Sequence, residues 1–268
     1  MVRPPLRAPE LPAGGLWTAL KVVEETGSTN ADVVAAAAAG AAEGLVVVAE
    51  YQRAGRGRLG RGWSAPPRSG LTASFLLRPG AAVPAARWGW LPLLAGVALV
   101  RAVRALTGVD ARLKWPNDLL VDGRKCGGIL VEVAEDRAVA VGIGVNVTLA
   151  AAELPPRAPG APSATSLALA GARRTDRGRL LQALLGEIER WYGAWRGAAG
   201  DAGVCGLWSA YVADCATVGA PVRAVLPDGS ELTGTAEAVD ADGRLVVREH
   251  TGDVRVMAAG DVVHLRRG

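Results

Sequence analysis

The sequence predicts an α+β protein: a mixed or antiparallel sheet flanked by helices, followed by a small all-β unit. Three observations predict it. Lys125–Val133 and Ala138–Val147 are apolar runs of strand length, close enough in sequence to form an antiparallel pair. Arg87–Leu106 and Thr175–Arg196 carry helical periodicity, the second being the clearest amphipathic stretch of the chain. From Val218 to Leu265 short β-prone runs are broken by Asp228-Gly229, Asp242-Gly243 and Thr251-Gly252, the spacing of a small β-barrel.

The other elements follow in order. Met1–Gly15 is rich in proline and arginine, lacks an apolar core segment, and reads as a loose tail rather than a signal peptide. Trp17–Glu25 is β-prone. Gly27-Ser28-Thr29-Asn30 offers N-cap residues to the alanine run Ala31–Ala39, and Gly40 stands where a helix would end. Leu45–Tyr51 and Leu71–Leu77 read as strands, with a long loop, Gln52–Gly70, between them. Pro92 fits the first turn of the Arg87–Leu106 helix. Arg112–Trp115 and Leu119–Val121 are short strands around a Pro-Asn-Asp turn, and Asp122-Gly123 is a hairpin signal. Leu154–Pro162 is a proline-rich loop. The expected divisions are 1–15 (tail), 16–215 (core) and 216–268 (barrel).

Composition narrows the class. Of 268 residues, 50% are hydrophobic and 21% charged, as in a globular protein, and the net charge of +4 is too mild for a surface that coats nucleic acid. The three cysteines, Cys126, Cys205 and Cys215, have no metal-type spacing and suit a reducing cytoplasm. The apolar stretch near Leu91–Val100 is too short and interrupted to span a bilayer. A soluble cytoplasmic protein, with neither DNA nor membrane as partner, is the expectation.

Five motifs carry chemistry. Gly55-Arg56-Gly57-Arg58-Leu59-Gly60-Arg61-Gly62 places three arginines among four glycines, with Trp63 next. Glycine frees backbone N–H groups for a ligand, arginine forks onto phosphate or carboxylate, and an aromatic ring can stack on a flat heterocycle. The run therefore reads as a clamp for an anion attached to something flat; the plain alternative is a solvated basic loop. It is no dinucleotide fingerprint, because no helix follows and Arg78 and Pro79 stand where an acidic residue is required. Lys114-Trp115-Pro116-Asn117-Asp118 fixes a turn in which Asp118 folds back on the backbone or holds a cation. Lys125-Cys126-Gly127-Gly128 sets a lysine before bare backbone at a strand start, where it can reach a ligand; an ordinary strand entry is the alternative, with Glu132 then on the solvent face or at the strand end. Gly142 and Gly144 leave one strand face empty, for a flat ligand or a tight crossing, with Asn146 able to bond a base or ribose. Ser28-Thr29-Asn30 is explained by an N-cap, although a helix N-terminus also holds polar head groups. The two histidines, His250 and His264, lie in the C-terminal β region, so neither a histidine-based nucleophile nor a histidine metal site is expected.

In this order, the five motifs resemble the biotin–protein ligase family, over about Val22–Val147 for the core and more weakly to the end, where Gly219–Val262 looks like that family's SH3-like domain. The resemblance implies a class II synthetase-like core that makes biotinyl-5′-AMP from biotin and ATP with Mg²⁺. Biotin then passes to a lysine of the biotin carboxyl carrier domain of an acyl-CoA carboxylase. It implies that Ser28, Thr29, Gln52, Gly55, Arg56, Arg58, Lys125 and Gly128 face biotin. Arg56, Arg58 and Lys125 would be catalytic, Arg61, Trp63, Asn117 and Asn146 near the nucleotide, and Asp118 a metal ligand. Because the core motifs begin before residue 30, a member without the family's DNA-binding domain is expected, monomeric or homodimeric. The competing readings are a lipoate or octanoate ligase or transferase of the same architecture, and a non-enzymatic binding module.

Overall fold

A computed structural model describes residues 3–11, 13–157, 161–226, 229–258 and 260–265, the side chain of Asp261 aside. Asp228 of the first expected barrel turn, and part of the Leu154–Pro162 loop, lie outside the described residues.

Seven strands form the main sheet: β1 (Ala19–Val23), β2 (Leu45–Ala49), β3 (Gly70–Leu77), β4 (Ala111–Lys114), β5 (Asp118–Val121), β6 (Arg124–Val133) and β7 (Val139–Asn146). Their order is β1-β2-β3-β7-β6-β5-β4, antiparallel except for the parallel β1–β2 pair. The expected β6–β7 pair is present, and Asp122 and Gly123 both take positive φ in the turn that feeds it.

Both faces of the sheet are covered. Helix α1 (Thr29–Ala38) lies on one face, where Val33 and Ala37 pack with Leu45, Val47, Leu76 and Ala140. Helices α2 (Trp90–Thr107) and α3 (Arg177–Gly197) lie on the other, where Val46, Val48 and Phe75 join the main core. Alternate residues of β2 thus serve opposite cores, which is why Leu45–Ala49 reads as unbroken apolar sequence. The apolar segment containing α2 is longer than the sequence stretch suggested. Ala85–Thr107 has the length and composition of a membrane span, but 67% of its apolar window is buried within the protein, as for a core helix.

A short helix absent from the sequence reading, α4 (Leu207–Asp214), precedes a five-stranded antiparallel sheet. Its strands are β8 (Pro221–Val225), β9 (Glu231–Val239), β10 (Leu245–Glu249), β11 (Val254–Met257) and β12 (Asp261–His264), in the order β11-β10-β9-β8-β12. Indoles from α2, α4 and the turn after β4 fasten the C-terminal sheet to the rest of the protein. Trp90 Nε1 donates to Ala241 O at 2.8 Å, Trp115 Nε1 to Gly243 O at 3.1 Å and Trp208 Nε1 to Val239 O at 2.7 Å.

The N-terminal segment is not the loose tail expected. Arg3 forms an ion pair with Glu153 and donates to Thr148 O at 3.0 Å. The Leu6 N–H donates to Glu50, and Arg177 bridges Glu50 and Pro4 O. A Cβ on Gly178 would fall 2.2 Å from Arg7 O, so the arm runs directly over α3. These partners lie far away in the chain, and a local reading of a Pro/Arg segment does not contain them.

Candidate active site

The site lies on the main sheet where β6 and β7 carry glycine, between the start of α1 and the turn joining β4 to β5. At one end, Ser28 holds the N-cap position of α1 but makes no capping bond with its side chain. Gln52 caps the helix instead: its Oε1 accepts from the Thr29 N–H at 2.8 Å and from the Thr29 hydroxyl at 3.0 Å. Ser74, buried on β3, donates to Asn30 Oδ1 and lies 2.7 Å from Thr29 Oγ1. Asn30 Nδ2 in turn donates to Glu132 Oε2 at 2.7 Å and Leu130 O at 3.2 Å. A cluster of oriented amides and hydroxyls results, with the Ser28 hydroxyl uncommitted to the helix.

The glycine–arginine run folds back on itself as a small hairpin. Arg56 bridges Gly62, the Gly57 N–H donates to Arg61 O at 2.7 Å, and the Trp63 N–H to Gly55 O at 2.9 Å. Gly55 is required here, because a Cβ would meet Trp63 O at 2.4 Å and Gln52 Nε2 at 2.5 Å. Arg56 reaches Glu132 at 3.3 Å. Arg58 Nη1 donates to Asn117 Oδ1 at 3.3 Å, and Asn117 is itself fixed by reciprocal bonds with Ile129.

The floor under the hairpin is bare backbone. A Cβ on Gly144 would come within 2.5 Å of the Trp63 ring, and one on Gly128 would stand 3.7 Å from Lys125 Nζ and 3.8 Å from Trp63. The empty side of Gly142 has another tenant, the Asn30 side chain, whose Oδ1 lies 2.3 Å from where a Cβ would be. Of the two glycines read as a ligand floor, only Gly144 faces the flat Trp63 ring.

At the other end is a cation cluster around one carboxylate. Lys125 Nζ lies 2.6 Å from Asp118 Oδ1, and Lys114 Nζ 3.7 Å from Asp118 Oδ2. Burial lowers the proton affinity of Lys114, which Asp118 opposes and Lys125 reinforces. Burial likewise pulls the Arg58 guanidinium below its usual value, with Asp118 opposing. Lys114 belongs to this cluster although the sequence reading assigned it no role.

Two sequence assignments look different in place. Asp118 was expected to hold a metal, but each of its oxygens faces an ammonium group. Among the described residues no group of three His, Cys, Asp or Glu side chains could hold an ion. A resident metal does not fit here. Asn146, expected near the nucleotide, is buried and donates through Nδ2 to Thr165 O at 2.9 Å, bracing the loop that follows β7. Lys125 belongs to the same brace, since its main chain exchanges 2.8 Å bonds with Ser163 and Thr165.

A polar cradle at the start of α1, an indole laid on the glycines of β6 and β7, and a cation cluster at the turn joining β4 to β5 thus make up the site. That arrangement suits a ligand with a hydrogen-bonding head and an acidic tail that must meet a second anion.

Comparison with known proteins agrees. The family model for the biotin/lipoate A/B protein ligase family matches residues 22–148, and that for the biotin protein ligase C terminal domain matches 217–265. The chain is 43% identical to the biotin–[acetyl-CoA-carboxylase] ligase of Mycobacterium tuberculosis, covering 99% of this chain and 98% of that one. It is 34% identical to the corresponding ligase of Paracoccus denitrificans, covering 89% and 98%. With the bifunctional ligase/repressor BirA of Bacillus subtilis it shares 34% identity, over 82% of this chain and 66% of that protein. Among solved structures, the biotin protein ligase of Aquifex aeolicus superposes with a TM-score of 0.75 at 22% identity, covering 93% and 100% of the two chains. The same enzyme in complex with biotin and ATP gives 0.74 at 24%, covering 94% and 100%.

Proposed function

The chain belongs to the biotin protein ligases, and from that premise we propose that it converts biotin and Mg-ATP to biotinyl-5′-AMP and passes the biotinyl group to a lysine of a biotin carboxyl carrier domain. The observation that carries this reading is that three groups gather around the glycine-bearing ends of β6 and β7: the Gln52–Thr29 pair at the start of α1, the Trp63 indole laid on Gly144, and Lys125 beside Gly128. The ureido head of biotin matches the donors and acceptors of Ser28, Thr29 and Gln52. Its tail then passes the Trp63 ring that covers Gly144 and delivers the carboxylate to the cation cluster.

In the first step a biotin carboxylate oxygen attacks the α-phosphorus, and the bond to the bridging oxygen of pyrophosphate breaks. Two anions must meet, so the residues do their work by positioning and by offsetting charge. Lys125 stands beside Gly128 with its ammonium held by Asp118, close to where the two anions join. Arg56 and Arg58 supply further charge from the hairpin. Magnesium enters with the nucleotide as part of the substrate; among the described residues no group of three His, Cys, Asp or Glu side chains would hold it. In the second step the neutral amine of the acceptor lysine attacks the acyl carbon of the anhydride; AMP leaves and the amine loses its proton. The hairpin, with Trp63 beneath it, keeps water from the anhydride until then.

We further infer a cytoplasmic location, which the three unpaired cysteines support, and an SH3-like character for the C-terminal sheet. Biotin-dependent exchange of labelled pyrophosphate into ATP tests the first step. Exchange that requires biotin is expected; exchange independent of biotin, or none, contradicts the reading.

A further inference from the structure

Gln52, just before the glycine–arginine hairpin, and Arg56, within it, stand four positions apart. Each is tied to the sheet by side chains, and the two ties meet. Gln52 holds Thr29; Thr29 Oγ1 lies against Ser74; Ser74 donates to Asn30; Asn30 donates to Glu132 Oε2; and Glu132 Oε1 faces Arg56 at 3.3 Å. Thr29, Asn30 and Ser74 are buried, with side chains committed to one another. Glu132 is about a third exposed, at 30%. It closes the circuit, one oxygen in the buried network and the other against a long arginine side chain that is 51% exposed.

We propose that Glu132 is a positioning residue for biotin binding: it holds Arg56 over the site and, through Asn30, keeps Thr29 and Gln52 aimed at the biotin head. The proposal rests on the biotin ligase reading above. Its physical basis is preorganisation. An arginine held by a carboxylate before substrate arrives loses less rotamer freedom on binding. An amide whose Nδ2 is fixed by a carboxylate must present Oδ1 to Ser74, which sets the direction of the rest of the chain. Steric evidence supports a dedicated arrangement. Gly142 has no side chain, and the space it leaves is filled by Asn30, so the register of β7 accommodates this network. Glu132 touches no reacting atom, and Arg56 keeps its charge when Glu132 is changed, so the larger effect falls on biotin affinity.

The test uses Glu132→Gln, which keeps an oxygen for Asn30 and removes the charge facing Arg56. Biotin affinity by calorimetry, the turnover of pyrophosphate exchange and the melting temperature are measured for the wild type, E132Q, R56A and the double variant. Biotin affinity should weaken about 3- to 10-fold in E132Q, the scale of one ordinary net polar contact, with turnover at saturating biotin within about twofold. The effect of E132Q should shrink in the R56A background, because the two residues act through one contact. Unchanged biotin affinity in E132Q overturns the proposal, whether or not the melting temperature moves. So does an effect of equal size with and without Arg56. A wild-type protein that binds no biotin removes the ligase reading itself and the proposal with it; a wild type that binds biotin beside an E132Q of equal affinity removes only the proposal.

Discussion

Gln52 Oε1 accepts both the backbone N–H and the hydroxyl of Thr29, at 2.8 and 3.0 Å, so the first turn of α1 is capped from across the site rather than by the preceding Ser28. One side chain therefore terminates the helix and shapes the head-group pocket. Substituting Gln52→Ala should weaken biotin binding by at least about 10-fold and cost about 1 kcal/mol of stability, the value of a lost cap. Calorimetry and thermal unfolding measure the two effects separately. Normal stability with lost binding would show that the cap is dispensable and only the ligand contact matters.

Lys125 and Asp118 form the shortest ion pair in the cation cluster, 2.6 Å apart, with Lys114 on the other carboxylate oxygen. Lys125→Gln should slow adenylate formation about 10²- to 10³-fold, the loss expected for one preorganised donor at a developing charge, while leaving the melting temperature close to wild type. Rapid-quench measurement of biotinyl-adenylate checks it. A variant slowed less than about fivefold would remove Lys125 from the chemistry.

Glu50 directly follows β2 and pairs with Arg177 with almost no exposure of either side chain, 2% and 7%. The N-terminal arm completes the site through the Leu6 N–H and Pro4 O. Arg177→Ala leaves a buried carboxylate without its partner, and a loss of about 3–5 kcal/mol is expected. Denaturant titration of the full chain reads it. Deleting the residues up to Arg7 should destabilise by less, since the ion pair remains.

His264, in the C-terminal sheet, lies 2.9 Å from Thr217 Oγ1, and burial together with nearby Lys114 holds its pKa at about 4, against Asp118, which opposes. The folded protein thus takes up this proton less readily than the unfolded chain, whose imidazole titrates near 6.5. The stabilisation is fully present above the unfolded value and is lost as the pH falls from there toward 4. The melting temperature should drop between about pH 7.5 and pH 5, and His264→Asn should flatten that drop. An equal drop in both proteins would assign it to other groups.

Much of the architecture was legible because local chemistry and global fold agree. The Asp122-Gly123 turn, the unbroken apolar run of β2 and the glycines beneath Trp63 all leave marks within a few residues of where they act. Helix α4 left none: it is eight residues long and has no side-chain cap. The pairs that organise the site join residues distant in sequence, such as Asn30 with Glu132 and Arg56 with Glu132. Such contacts exist only after the sheet has assembled. Gly142 shows the consequence. Its bare face was legible, but the occupant of that face was not, because Asn30 arrives from α1. The Pro/Arg character of the N-terminal arm was misleading for the same reason, since Arg3 and Leu6 find their partners at Glu153 and Glu50.

The central claim is that one site binds the head of biotin and activates its carboxylate. Mass spectrometry after incubating the protein with Mg-ATP and either biotin or lipoate tests it most directly. A biotinyl-adenylate that forms with biotin alone is the predicted result. A lipoyl-adenylate would contradict the assignment of the Ser28, Thr29 and Gln52 cradle, and no adenylate with either acid would contradict the account as a whole.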